Sequence, residues 1–423
     1  MHIAVIGGGV IGASAAVRLS SEGHQVTLID SAPPSHRGTS ENNAGWVVPA
    51  LADPIPAPGM VAAAIGMMLR RNSPLYIRPT LDPRMLRLLV AMSRRCNAAD
   101  FRAGVDALRE LAGKALAGLD EFRCLGVDFD ESDRGLLLVT KTNDKATNLH
   151  DSLSRFHPES SPVRLESHDV AALEPALTHA AVAGVLCPDE RSVDPASLVR
   201  GLWRACQNSS VSLLSAVTVT GLALQRGSCR GVILDGGDSI DCDAAVLAAG
   251  IGTARLASMA GYPIPLFSGK GYGVDVPVPA VPPRHAIYLV EEKVAVTTMR
   301  DRLRLSGTME IGSRSGTLSA HRISGIRAAG RKFFGDSVVA AEPATVFAGH
   351  RPMTPDGLPI IGLMPGVDNV VVATGHQMLG VTLAAPTSAA IVEIINCGKA
   401  PQSLQPFSVD RFNGHASAGR DLA

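Results

Sequence analysis

A short apolar run, His2-Ile3-Ala4-Val5-Ile6, breaks into glycines and is followed by an Ala-rich stretch from Ala13 to Leu19. A run this short, bounded by turn residues, predicts a buried strand, and the Ala-rich stretch predicts a helix. Gln25-Val26-Thr27-Leu28-Ile29 predicts a second strand, ending at Asp30. Residues 54–125 change character: Arg84–Arg95 and Ala103–Gly126 carry apolar side chains three and four apart, the mark of helices. Gly135–Thr140 returns to strand, Asp169–Leu177 reads as a short helix and turn, and Asp194-Pro195-Ala196 starts a capped helix that ends near Gln207. Strands are expected over Val211–Ala216, Val219–Gln225, Gly231–Leu234 and Ser239–Cys242, then a buried one at Ala244–Gly250. From Pro263 to Phe347 β-like runs alternate with turns, at Gly271–Val276, Ala286–Val290, Val294–Thr298 and Leu303–Glu310, with one helix near Ile323–Phe334. Pro359–Ile361 and Asn369–Ala373 predict strands again, and a last helix spans about Gly380–Asn396. The final twenty-odd residues are polar and read as loose.

The break after the first strand carries chemistry. Gly7-Gly8-Gly9-Val10-Ile11-Gly12 is a Gly-x-Gly-x-x-Gly string set between strand and helix. Gly7 permits a sharp turn, Gly9 lets backbone approach a pyrophosphate, and Gly12 lets helix and strand pack closely. The helix start then offers N–H groups and partial positive charge to phosphates. Asp30 lies 18 residues beyond Gly12, near the usual ~20-residue spacing for gripping an adenosine ribose. Strand, helix, second strand and terminal acid in this order predict dinucleotide binding. The nucleotide-binding sheet resumes nearly 200 residues later at Ala244–Gly250 and once more near the end. That discontinuity is more typical of flavin enzymes than of simple nicotinamide dehydrogenases. The chain has no internal repeat and no low-complexity segment.

Composition narrows the partners. At 423 residues the chain exceeds one ordinary core. Lys plus Arg equals Asp plus Glu, 39 each, and no basic run appears, so nucleic-acid binding is not expected. The seven cysteines are scattered without a Cys-x-x-Cys pair, which reads as reduced thiols in a cytoplasmic protein and neither a disulfide frame nor a metal site. No signal-peptide pattern precedes the first strand, and no run of 18 apolar residues predicts a transmembrane helix. The nearest approach is Ile55–Leu69, uncharged, interrupted by Pro56 and Pro58 and closed by Arg70-Arg71. A buried or lid segment is the preferred reading there; docking on a membrane surface is the other.

With these features in hand, the chain resembles the FAD-dependent D-amino-acid oxidase superfamily over nearly its whole length, and most closely the bacterial D-amino-acid dehydrogenase branch. Four motifs carry the resemblance: Gly7–Asp30; Thr39-Ser40-Glu41-Asn42-Asn43-Ala44-Gly45 with Pro49; Val246–Gly252 with Thr253; and the pair Arg351-Pro352-Met353-Thr354-Pro355-Asp356-Gly357 and Gly375-His376-Gln377-Met378-Leu379-Gly380. It implies an α/β fold: a discontinuous Rossmann-like FAD-binding domain (1–53, 160–262 and 348–423) with an inserted α+β substrate domain on a mainly antiparallel sheet (54–159 and 263–347, with a helical lid excursion). It implies cofactor contacts at Gly7, Gly9, Val10, Ile11, Gly12, Asp30 and Ser31, and at Thr39, Ser40, Asn42, Asn43, Ala44 and Gly45. Val219 (with Val217 an alternative register), Ala249 and Gly250 would hold the adenosine half. Gly375, Gln377, Met378, Leu379, Gly380 and Val381 would open the last helix toward the flavin N1–C2=O edge. Family members with covalent flavin carry a His in the 39–45 loop or a Cys in the C-terminal half. This loop has Asn and Cys397 lies past the motif, so FAD is expected to be non-covalent.

On the substrate side, Arg351 is expected in a loop, where its fork would clamp a carboxylate. A structural pair with Asp356 is the plain alternative. Tyr272 and Tyr288, two of only four tyrosines, are candidates against the substrate carboxylate, or ordinary packing residues. Tyr76 is a weaker candidate for a lid. His376 reads equally as a flavin or substrate contact and as an ordinary polar loop residue. The implied reaction is oxidation of a D-amino acid, or of a cyclic secondary amine such as a proline or hydroxyproline derivative. Hydride would pass from Cα to flavin N5, giving an imine and then a 2-oxo acid, with electrons leaving for a quinone or other carrier. The expected location is the cytoplasm, or peripheral at the inner face of the cell membrane, with oligomeric state open. Two rivals stand: a glycine- or sarcosine-type amine oxidase using oxygen, and a non-catalytic flavin-binding protein, against which the Arg351 clamp argues. A plain NAD-dependent dehydrogenase is disfavoured by the C-terminal motifs.

Overall fold

In the computed structural model, residues 1–32, 38–68, 73–312, 316–339 and 344–412 are described. The apolar runs that flank the glycine string build a six-stranded sheet. His2–Ile6 lies between Gln25–Asp30 and Ala244–Leu247, both parallel to it. Val211–Ser215 extends one side and Val370–Thr374 the other, and antiparallel Ile360–Leu363 closes the edge. A parallel sheet must be covered on both faces. Ile3, Val5, Val26 and Leu28 pack under helices Val10–Ser21, Pro195–Gln207 and Ala384–Cys397. Ala4, Ile6, Ala245 and Leu247 pack against a three-stranded sheet and the helix Thr253–Met259. Asp194 caps the helix Pro195–Gln207 as its sequence predicts, accepting from the Ala196 N–H at 2.9 Å.

The second layer is a mainly antiparallel sheet of nine strands. From the edge strand Thr345–Met353 it runs through Phe267–Pro277, Arg302–Ile311, Val294–Thr298 and Ala286–Leu289 to Leu136–Thr140, Ala183–Cys187 and Val163–Leu165; Leu75–Ile77 adds to Arg302–Ile311. Helix Ala320–Phe334 covers one face, burying Phe333 and Ile326 against Val274, Ile287 and Leu305. The other face looks toward the nucleotide layer. Two expected segments straddle the division. Val163–Leu165 and Ala183–Cys187, placed by sequence in the nucleotide domain, pair in the large sheet, and so does Thr345–Met353. Arg351 therefore sits on a strand, where a loop was expected.

Other departures have local causes. The single helix expected over Ala103–Gly126 is two, Ala98–Ala112 and Ala115–Cys124, broken at Gly113-Lys114. Helix Asn143–Phe156 went unpredicted because only Ala146 and Leu153 are buried along it, too few to print a period. The last helix begins at Ala384, and Gly380–Leu383 form turns. Within the apolar stretch read as buried or lid-like, helix Met60–Met68 is exposed at most positions, Ile65 at 60 %. Leu69, Arg70 and Arg71, and the polar tail from 413 on, lie outside the described residues.

Candidate active site

The carboxyl ends of the parallel strands open into a cavity of about 650 Å³. Its floor is the glycine string. A Cβ on Gly12 would stand 1.8 Å from the Gly7 carbonyl oxygen, so helix and strand can meet this closely only at glycine. The Asp30 carboxylate accepts from the Gly8 N–H at 2.5 Å and the Ala32 N–H at 2.7 Å, which shapes the turn around the cavity. Ser40 Oγ accepts from the Val10 N–H at 3.0 Å, bringing the 39–45 loop to the first turn of the helix. Of the sequence-predicted cofactor residues, Gly7, Gly9, Val10, Ile11, Asp30, Ser31, Thr39, Ser40, Asn43, Val219, Ala249, Gly250, Gln377, Gly380 and Val381 line this cavity. Gly12, within the helix Val10–Ser21, and Asn42, Ala44, Gly45, Gly375, Met378 and Leu379, in the adjoining loops, do not line it. Val217 lines it together with Val219, so neither register is singled out.

The 39–45 loop is tied to its surroundings through its carbonyls. Arg304 Nη1 donates to the Glu41 and Asn43 oxygens at 2.8 and 2.7 Å, and Thr297 Oγ1 to the Ala44 oxygen at 2.8 Å. The Asn43 amide joins this loop to the C-terminal one, donating to the Met378 oxygen at 3.2 Å. Asn42 Oδ1 and Gln377 Oε1 are buried and have no hydrogen-bond partner among the described residues. Buried polar atoms are rarely left so. Gln377 also holds a positive φ of 53°, a strained backbone for a residue with a side chain.

The C-terminal motif departs from expectation in two ways. Gly375 and Gly380 lie outside any helix, and the last helix begins at Ala384, beyond Val381, the last residue of this segment to line the cavity. The His376 imidazole is turned into the protein, its Nε2 sharing a hydrogen bond with Thr387 Oγ1 at 3.0 Å. Burial pushes its pKa down to about 3, so the ring is neutral. It ties the turn to the last helix while the residue also lines the cavity, so its observed part is in holding the site and no catalytic part is assigned to it.

The substrate side is decided by strand parity. On Phe267–Pro277 three glycines alternate with larger residues, and a Cβ on Gly271 would lie 2.3 Å from Arg351 Nη2. The Arg351 side chain thus lies flat across the strand, with Nη1 donating to the Thr308 oxygen at 3.1 Å. Met353 and Phe347 lie likewise across Gly269 and Gly273. Among the described residues no carboxylate pairs with Arg351. Asp356, its sequence alternative, is held by Arg411 at 2.8 Å. Arg351 is deep among protein atoms yet keeps part of its surface open, and burial lowers its pKa to about 10. Tyr288 is on the same face by register. It packs edge-on to Trp46 at 5.6 Å, and its hydroxyl has no hydrogen bond among the described residues. Burial pushes its pKa up to about 12, and the Arg351 charge draws it back. Ser306 Oγ and Thr308 Oγ1, on the neighbouring strand, are also buried and have no hydrogen-bond partner among the described residues.

Tyr272 is on the opposite face. Its ring packs with Val274 and Phe333 under the helix Ala320–Phe334, and its hydroxyl donates to Glu310 at 2.5 Å. Alternation along a strand sends Gly271 and Tyr272 to opposite sides, so the substrate part expected of Tyr272 is withdrawn. Tyr76 lies near it, its ring under the Arg322 guanidinium at 4.8 Å. Sequence reading missed Trp203, whose Nε1 donates to the Gly8 oxygen at 2.8 Å. It also missed Arg200, Arg204 and Glu41, which line the cavity. Trp203 is one of two tryptophans, and rarity alone was its signal. Among the described residues no group of three or more His, Cys, Asp and Glu side chains could hold a metal ion, and no helix is long and apolar enough to cross a membrane.

The elongated cavity, the glycine floor and the orphaned amide oxygens of Asn42 and Gln377 fit a bound dinucleotide. Comparison with known proteins names it. Residues 2–394 match the model of the DAO family, FAD dependent oxidoreductase. The chain is 32 % identical to a D-amino acid dehydrogenase of Methylobacterium nodulans, over 95 % of this chain and 96 % of that one. It is 32 % identical to another of Xanthobacter autotrophicus, over 97 % and 99 %. In fold it resembles glycine oxidase from Geobacillus kaustophilus, with a TM-score of 0.77, 20 % identity, and coverage of 97 % and 98 %.

Proposed function

Because the chain belongs to the DAO family of FAD-dependent oxidoreductases, we propose that it is a D-amino-acid dehydrogenase, oxidising the Cα–N bond of a D-amino acid or a related cyclic amine. One observation carries this reading: a guanidinium deep in the molecule, on a residue that is only partly buried, with no carboxylate partner among the described residues. A buried cation of this kind is costly unless an anion meets it, and a planar fork suits a substrate carboxylate held by two hydrogen bonds. Tyr288 offers a further donor on the same face. Bound FAD would supply the oxidation, as the acceptor of one hydride, and with it two electrons, from Cα. The protein supplies orientation: Arg351 fixes the carboxylate, the sheet fixes Arg351, and the 39–45 and 375–381 loops hold the cofactor. The imine product would hydrolyse in water to a 2-oxo acid.

The D-preference and the use of an acceptor other than oxygen draw support from the names of the two relatives. A membrane-borne acceptor such as a quinone draws support from the described part of residues 54–99, which holds Arg78, Arg84, Arg87, Arg94 and Arg95 and one aspartate, Asp82. Helix Met60–Met68 exposes apolar side chains, and helix Pro83–Arg94 exposes Leu86 and Val90 beside Arg84, Arg87 and Arg94. Cationic and apolar groups on one face suit anionic lipid headgroups. Sedimentation with vesicles containing anionic lipid, and none with neutral vesicles, is the expected behaviour.

Anaerobic mixing with D- and L-amino acids, proline derivatives, glycine and sarcosine tests the reaction, followed at about 450 nm where oxidised flavin absorbs. Bleaching by D-amino acids is expected, with reoxidation faster by a quinone than by air. Bleaching by glycine or sarcosine with rapid reoxidation in air would move the protein to the amine-oxidase reading, and no bleaching at all to a flavin binder.

A further inference from the structure

Between the large sheet and the 39–45 loop lies a guanidinium that no sequence motif announces. Arg304 stands opposite Asp275 across neighbouring strands and holds it through two hydrogen bonds, Nε to Oδ1 at 2.7 Å and Nη2 to Oδ2 at 2.9 Å. Its remaining nitrogen, Nη1, donates both protons to the Glu41 and Asn43 carbonyls. The guanidinium lies over the Phe347 ring, 4.6 Å from its centroid, and the residue is 1 % exposed. Asp275 also forms an ion pair with Arg302 at 3.2 Å, and Arg302 reaches Asp194 at 2.8 Å. Asp194 caps the helix that carries Trp203 to the glycine string. One charged chain thus links both loops around the cavity.

The geometry of the peptide says what Arg304 is for. In a trans peptide the carbonyl and the next N–H point in opposite directions. Arg304 draws the Asn43 carbonyl toward the sheet, which turns the Ala44 N–H away from it. The Ala44 carbonyl is fixed by Thr297 and the Gly45 carbonyl by the Val193 N–H at 2.7 Å. Three successive carbonyls are tied, while the Ala44 N–H forms no hydrogen bond among the described residues. A plain cross-strand tie within the sheet would need only the Asp275 pair.

We propose that Arg304 is a positioning residue for the flavin, orienting the Asn43–Ala44 peptide so that the Ala44 N–H is presented to the cofactor. This rests on the assignment of the 39–45 loop to FAD. It is independent of the substrate: failure of every amine to bleach the wild-type flavin would sink the proposed reaction and leave this inference standing.

The test follows FAD release from the holoenzyme by flavin fluorescence, the visible circular dichroism of the bound flavin, and kcat apart from KM. Arg304→Lys keeps the charge but loses the fork. FAD release should quicken by roughly 10-fold, the cost of one or two charge-assisted hydrogen bonds. The dichroism should change, and kcat should fall with KM nearly unchanged because Arg351 is untouched. Thr297→Val removes the anchor of the Ala44 carbonyl and the acceptor of the Trp46 Nε1–H, and release should quicken by roughly 2- to 5-fold, about one neutral hydrogen bond at the loop. Arg411→Gln, which breaks the ion pair to Asp356, should lower Tm without moving the flavin signals. Wild-type release, dichroism and kcat in Arg304→Lys, with only Tm lowered, would overturn the proposal. If that variant does not fold, the same result in Thr297→Val overturns it.

Discussion

The two faces of the strand Phe267–Pro277 use similar chemistry to opposite ends. Toward the helix Ala320–Phe334, Tyr272 meets Glu310 and Lys270 Nζ donates to the Thr317 oxygen at 2.5 Å. Each polar tip there has a protein partner, as buried groups in a core require. Toward the nucleotide layer, glycines replace side chains, and Arg351 lies in the space they leave. There the Tyr288 hydroxyl, Ser306 Oγ and Thr308 Oγ1 lack protein partners among the described residues. The lesson is that a buried polar group is read by its partner. Satisfied groups hold the fold, and unsatisfied ones on a shared face await a ligand.

The sharpest way to break that comparison is to remove the unpaired cation. Arg351→Gln should cut kcat/KM for the D-amino acid by roughly 10²- to 10³-fold, as for losing one member of a buried charge pair. Its FAD content and Tm should stay close to wild type, since no carboxylate among the described residues loses its partner. A loss of stability beyond about 2 kcal/mol, with kcat/KM little changed, would make Arg351 a structural residue after all.

Gly271→Ala comes next. The new methyl would meet the far end of a flexible side chain, so folding should cost little. The guanidinium would be displaced, and a misplacement of about 1 Å can cost up to roughly 10²-fold in rate. Steady-state kinetics should show kcat/KM reduced by roughly 10- to 100-fold with Tm nearly constant. An unchanged kcat/KM would mean that Arg351 can act from another position.

The two tyrosines compare the faces directly. Tyr288→Phe should lower kcat/KM by roughly 3- to 10-fold through one hydrogen bond to a charged substrate, with Tm unaffected. Tyr272→Phe should leave kcat/KM within about 2-fold and lower stability by about 1 kcal/mol, because Glu310 loses a donor inside the core. The reverse pattern would exchange the two assignments.

Sequence alone could not have separated these tyrosines, although much else was legible. Gly7–Asp30 is local: strand, turn and helix follow each other, so spacing determines geometry, and the fold of that segment is legible in the sequence. Arg351 was singled out by its motif, but its strand was read as loop because Gly349, Arg351 and Pro352 interrupt the apolar alternation. Which face Tyr272 takes depends on the pairing with Arg302–Ile311, whose register shifts between Lys270 and Tyr272. That shift has no local signature. Arg304 was illegible for a related reason: its partners Asp275, Glu41 and Asn43 are remote in sequence, and an arginine within a strand reads as a solvated edge until pairing makes it central.

A last case tests whether every unsatisfied atom means a ligand. Glu190 is buried, with Oε1 accepting from the Ala50 N–H at 2.9 Å and Oε2 unpartnered among the described residues. It belongs to neither face of Phe267–Pro277 and does not line the cofactor cavity. Burial raises its pKa from the ordinary 4.5 to about 7, although the Ala50 N–H and the His157 charge pull the other way. A proton can therefore satisfy the atom where a ligand does not. Because the folded value lies above the unfolded one, the stabilisation is complete below about pH 4.5 and is lost as pH rises through about 7. Glu190→Gln keeps an acceptor for Ala50 and cannot ionise, so its stability should gain on wild type between those limits, by up to roughly 3 kcal/mol. Calorimetric Tm measured from pH 5 to 8 checks this. Parallel profiles for the two proteins would show Glu190 ionised without penalty, which would require a cation or ordered water at Oε2 and restore the stricter rule.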